Sequence, residues 1–186
     1  IYNSIQQLEL HPIQIKKYSE VELSNILQNI LMQSFNEKGL IINREMPAGF
    51  ALKQTGELDF FIYRYINNIY NKLAISENKE WGKFESSLEQ LIGYMDNNIT
   101  FGFTIIFNKT TKLSTILNNR LEILKMFNIN GNFKVVGPIE ELPDLKYVLK
   151  TRHENPEQEG TYFNIYHFVI NSYKPEREDA AKQARA

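Results

Sequence analysis

Two stretches decide how this chain folds: Gly56-Glu57-Leu58-Asp59-Phe60-Phe61-Ile62-Tyr63 and Leu73-Ala74-Ile75-Ser76-Glu77-Asn78-Lys79. Each is an apolar run of strand length, and Asn67-Asn68 between them is a turn signal. Folded back as two antiparallel strands joined near residues 66–70, they bring Asp59 and Glu77 side by side. Side chains alternate along a strand, so Glu77 and Lys79, two apart, face the same way. Two carboxylates and an ammonium then converge on one spot, the outline of a metal and phosphate site.

The chemistry of that trio is specific. Mg²⁺ takes hard oxygen ligands, one or two carboxylates with water and phosphate completing the shell, and Asp59 with Glu77 supplies such a pair. Lys79 offers a point charge beside a phosphate. A solvated strand end accounts for Glu77-Asn78-Lys79 taken alone; Asp59 one strand earlier tips the reading toward a site.

Asp-x(n)-Glu-x-Lys on consecutive strands, with a helix before and after, resembles the PD-(D/E)XK nuclease superfamily over roughly residues 19–107. The resemblance implies a restriction-endonuclease-like fold: an α/β protein with an α-β-β-β-α-β core, a mixed sheet and helices on both faces. It implies an Mg²⁺-dependent nuclease, with Mn²⁺ as a substitute, hydrolysing phosphodiester bonds in DNA. Asp59, Glu77 and the backbone carbonyl of Asn78 are the implied metal ligands, and Lys79 the implied catalytic lysine. Glu20 in Glu20-Val21-Glu22-Leu23 is similar to the helical glutamate of Holliday-junction-resolvase-like members, which supports the metal site. Gln90 and Tyr94 share a helix face and resemble the Gln-x-x-x-Tyr motif of RecB-type relatives, where the glutamine helps place the strand. Glu57, two before Asp59 and read on the same strand face, is a secondary candidate. Gly-Glu-Leu stands before Asp59, so the name-giving proline is missing, yet it is not a ligand.

Composition permits this and excludes alternatives. The 186 residues suit one domain, read as residues 1–173 with a core at 19–137 and a hairpin extension at 145–172. No cysteine is present, which removes disulfides and zinc–thiolate sites and fits a cytoplasmic protein. No stretch is long and apolar enough for a membrane span, so no membrane partner is expected. A net charge of −1 is not that of a protein holding nucleic acid by bulk electrostatics. Residues 101–153, however, carry eight basic against four acidic side chains, a region that solvated helix faces explain as well as a binding surface does. The start at Ile1 rather than methionine suggests the nuclease module of a larger protein, with other domains or a second copy as partners. The rival reading is a non-catalytic nucleic-acid-binding or protein-interaction module on the same fold.

Along the chain, residues 1–17 read as irregular, with a short strand near 11–15. Ser19-Glu20-Val21-Glu22 is a capping box opening a helix whose stripe is Leu23, Ile26, Leu27, Ile30, Leu31 and Phe35, stopped by Gly39. Leu40 to Met46 reads as one strand ended by Pro47. Phe84, Leu88, Leu91, Ile92 and Met95 mark a second helix. Phe101–Phe107 is a buried strand, Leu113–Met126 a third helix and Phe133–Val136 a further strand. Residues 145–153 and 162–172 form the long hairpin, and 174–186 a tail with no apolar stripe, disordered or a helical linker. The aromatic residues Tyr162, Phe163, Tyr166 and Phe168 are more plausible as core than as stacking surfaces. The three histidines lack metal-ligand spacing, and no Walker A loop is present.

Overall fold

The structure is a computed structural model that describes residues 1–48 and 56–184. Its frame is a seven-stranded mixed sheet. The strands are β1 (Ile41–Asn43), β4 (Phe60–Ile66), β5 (Ile69–Glu80), β6 (Phe101–Asn108), β7 (Glu140–Glu141), β8 (Leu149–Glu154) and β9 (Tyr162–Asn171), in the spatial order β1-β4-β5-β6-β9-β8-β7. The β4–β5 pair is antiparallel, with Phe60 opposite Ser76 and Ile66 opposite Ile69. Strand β6 lies parallel to both β5 and β9. Two short strands, β2 (Met46–Ala48) and β3 (Gly56–Leu58), form a separate antiparallel ribbon.

Among the described residues the α-helices are α1 (Tyr2–Glu9), α2 (Pro12–Lys17), α3 (Glu20–Asn36), α4 (Phe84–Tyr94), α5 (Leu113–Met126) and α6 (Pro175–Gln183). Leu23, Leu27, Leu31 and Phe35 of α3 bury with Ile5, Leu8 and Ile15 against Phe60, Phe103 and Phe168 on one face of the sheet. On the other face α4 and α5 contribute Phe84, Leu88, Leu91, Ile116 and Leu124 to a core with Ile75, Ile106 and Ile165. The central strand β6 is buried from Gly102 to Asn108, as a parallel strand covered on both faces must be.

Four expectations are corrected. The lead-in is α1 and α2 rather than irregular chain with a strand at 11–15: Ile5, Leu8 and Ile15 bury on the sheet, and Pro12 opens α2 at a position where its missing N–H costs nothing. The strand from Leu40 to Met46 is two strands, broken at Glu45, whose φ of 55° lies in the left-handed region. Pro47 does not end it but pairs with Glu57 inside the small ribbon. Residues 133–136 make only an isolated bridge, Val135 to His153, and the strand beside β6 is β9. The hairpin therefore extends the sheet, and the tail carries α6, tied to α2 by a Lys16–Glu178 ion pair of 2.5 Å.

Candidate active site

Local rules place the first two carboxylates. Asp59 occupies the break between β3 and β4, one residue before Phe60 pairs with Ser76, so it falls beside Glu77. Its Oδ2 accepts the Asn78 backbone N–H at 2.8 Å. In a strand the N–H and C=O of one residue leave on the same side, so the Asn78 carbonyl also faces Asp59's side of β5, where β4 has already ended. The Asn78 side chain points the other way and donates to Ser24 Oγ at 3.2 Å, fastening β5 to α3.

The N-terminus of α3 supplies the third carboxylate. Ser19 and Glu22 close the capping box, with Ser19 N–H donating to Glu22 Oε2 at 2.7 Å. Glu20 is then free to reach across to β5. Its Oε1 lies 3.3 Å from Lys79 Nζ, and its Oε2 accepts the Glu80 N–H at 3.1 Å. Lys79 Nζ also stands 3.6 Å from Glu77 Oε2 and 3.8 Å from Asp59 Oδ2. Glu20, Glu77 and Asp59 thus meet at the Lys79 ammonium.

Arg44 is the member that the sequence reading missed. It lies just past β1, whose Asn43 pairs with Phe61, and its guanidinium comes within 3.9 Å of Asp59 Oδ1 and 3.1 Å of Glu45. The side chain is buried and also bonds to Asn25 on α3. A basic residue at the end of an apolar run was the available signal, but without the β1–β4 register it pointed nowhere.

Glu57 stays outside: it sits exposed in the β2–β3 ribbon, and the break at Asp59 removes the strand alternation that would have aligned the two acids. On α4, Tyr94 lies in the field of the site, where burial and then Glu77 raise its phenol pKa. Gln90 is exposed one turn earlier and makes no side-chain hydrogen bond among the described residues. Trp81 packs on Phe84 at 6.0 Å between ring centroids. Phe163 and Phe168 are core, and only Tyr162 of the terminal aromatics is exposed. Much of the basic region is consumed internally: Lys109 binds Glu80, Lys150 binds Glu140, and Arg120 is buried, donating to two backbone carbonyls.

The electrostatics show what the cluster lacks. Burial pushes the Glu77 carboxyl up to about 8, and the adjacent Asp59 adds to the shift while Lys79 opposes it. Burial raises Asp59 as well, against the Asn78 N–H that favours its anion. Burial works against the Lys79 ammonium, yet Asp59, Glu77 and Glu20 together hold its pKa above the ordinary lysine value. Glu77 is 2% exposed, and its Oε1 has no hydrogen-bond partner among the described residues. An orphaned buried oxygen of this kind costs stability unless protonated or paired. A divalent cation fits it. Among the described residues, however, no three His, Cys, Asp or Glu side chains form a ready-made metal-binding group; Lys79 stands among the acids. No described helix is long and apolar enough to cross a membrane. Comparison with protein-family models, curated proteins and solved structures finds no match to this chain.

Proposed function

We propose that this protein is a metal-dependent nuclease of the PD-(D/E)XK type, hydrolysing phosphodiester bonds in DNA. The observation that carries the reading is the convergence of Asp59, Glu77 and Glu20 on the Lys79 ammonium, with the buried Oε1 of Glu77 unpartnered among the described residues. With β2 and β3 set apart in their own ribbon, the main-sheet order α3-β1-β4-β5-α4-β6, with β6 parallel to β5, supports this reading.

Asp59 and Glu77 would hold Mg²⁺, with the Asn78 carbonyl beside them. When bound, the ion supplies charge neutralisation at the phosphate and a water acidified toward hydroxide. The chain's own residues do the rest. The Asn78 N–H fixes the Asp59 carboxylate in place. Lys79, kept cationic by its three acidic neighbours, is the donor available to a phosphate oxygen. Glu20 restrains that ammonium from the α3 side and anchors the end of β5 through Glu80 N–H.

The rival is a non-catalytic binding module on the same fold. It is favoured by the ion pairs that already engage Lys79 with each of the three carboxylates. Incubation with supercoiled plasmid and with single-stranded DNA, in Mg²⁺, Mn²⁺ or EDTA, separates the two. Metal-dependent nicking that is lost in a Glu77→Ala, Lys79→Ala variant is the expected result. A folded protein that binds DNA equally well with and without those side chains, and never cuts it, belongs to the rival.

A further inference from the structure

The β4–β5 hairpin carries a feature that phosphate chemistry does not use. Its turn residues Asn67 and Asn68 have φ of 51° and 62°, the paired left-handed conformation of a tight two-residue turn that matches strand twist. The strands stay paired to the tip, Ile66 opposite Ile69. One irregularity skips Leu73 on β5, since Ile62 faces Ala74 and Tyr63 faces Lys72, so β4 keeps its own alternation. Phe61, Tyr63 and Tyr65 therefore stand in a row on the face of β4 whose Phe61 lies opposite Ile75, two residues before Glu77, and Tyr70 joins them from β5. Ring centroids are 5.5 Å apart for Phe61–Tyr63, 4.8 Å for Tyr63–Tyr70 and 5.5 Å for Tyr65–Tyr70. The row opens outward: Phe61 is 6% exposed, Tyr70 40% and Tyr65 61%.

We infer that this hairpin is a stacking platform for the unpaired bases of a single-stranded nucleic acid, leading the strand to Asp59 and Glu77. The inference rests on the nuclease reading and narrows its substrate to single-stranded or locally melted DNA. Exposed aromatic faces accept any base by stacking, which is how strands are held without sequence preference. Charge does not oppose this: from Phe60 to Lys72 the chain has no acidic residue to repel a strand. Arg64 alternates onto the other face of β4, and Lys72 pairs with Asp96. Continuity decides the class of occupant, because the row ends where a phosphodiester would be cut.

The test measures binding of a fluorescent mixed-sequence single-stranded oligonucleotide and of the matching duplex in EDTA, where no cleavage occurs. Wild type should prefer the single strand. Tyr65→Leu, Tyr70→Leu should weaken it about tenfold or more, and Tyr65→Phe, Tyr70→Phe should restore it. Equal binding by a folded Leu variant, or preference for duplex, overturns the platform, whereas plasmid nicking by that variant still upholds the nuclease. Photo-cross-linking of wild type to an iodouracil oligonucleotide needs no substitution. Adducts at Tyr65 or Tyr70 support the platform, and adducts confined elsewhere overturn it.

Discussion

At the scale of the residue, Glu77 is the position under greatest tension. Its carboxyl is buried between a second acid and a single ammonium, so the folded protein binds its proton far more tightly than the unfolded chain does. Between the ordinary 4.5 and the raised value of about 8 the folded state holds more protons, so stability falls as pH rises. One proton accounts for at most about 1.4 kcal/mol per pH unit. Denaturant titrations of metal-free protein from pH 6.5 to pH 8 should show that decline, and Glu77→Gln should flatten it. A flat wild-type profile would show that Glu77 is already ionised. Glu77 and Asp59 were legible only as acids on adjacent strands: the two-residue turn by itself would set Phe60 opposite Ile75, and the irregularity that skips Leu73 moves Phe60 to Ser76 and so brings Asp59 beside Glu77. The orphaned Oε1 was not legible, since burial is a property of everything packed around it.

At the scale of the element, α3 does two jobs with one capping box. Ser19 and Glu22 satisfy each other's backbone groups, and this leaves the first helical residue, Glu20, pointing at Lys79. Ser19→Ala should cost about 1 kcal/mol in chemical denaturation. On the proposed nuclease reading it should also lower cleavage, because the fraying turn is the one that carries Glu20. Unchanged cleavage with the expected loss of stability would mean that Glu20 is held by Lys79 and Glu80 alone. The box and the leucine stripe were readable as local patterns. The helices α1 and α2 were not, because His11-Pro12 reads as a break, and only packing on α3 and the sheet shows that a second helix starts there. The expected strand at 133–136 failed for the converse reason. Its residues are apolar enough for a strand, but Phe133 adopts φ of 57° and β9 already occupies the edge of β6.

At the scale of the whole molecule, a buried polar chain crosses the three strands β6, β9 and β8. The Phe133 carbonyl accepts from His153 Nδ1 at 2.9 Å, which leaves His153 Nε2 to accept from Thr151 Oγ1 at 2.9 Å. Thr151 Oγ1 then accepts from His167 Nε2 at 2.8 Å, and His167 Nδ1 accepts from Thr104 at 3.0 Å. Each neutral imidazole has one proton, so the polarity of the chain follows from the carbonyl at its end. Burial lowers His153 to about 4 and takes His167 well below the ordinary value, with His153 and Arg120 adding to the latter. The unfolded chain therefore binds more protons below about 6.5, and stability should be lost as pH falls from there toward about 4. Imidazole NMR signals from both rings should stay in the neutral state until the protein unfolds. Titration of either ring in the folded protein near pH 6 would refute the chain as drawn.

What the sequence by itself determined is whatever depends on neighbours a few residues away. The mixed α/β character, the capping box and the tight Asn67-Asn68 turn all follow from hydrophobic period and turn chemistry. Only the tertiary structure decided which distant segments meet. Glu20 reaches Lys79 across 59 residues, Arg44 arrives beside Asp59 through the β1–β4 register, and β9 takes the place beside β6. Such pairings are selected by which apolar faces complete a shared core after long loops have closed. No local pattern encodes that choice.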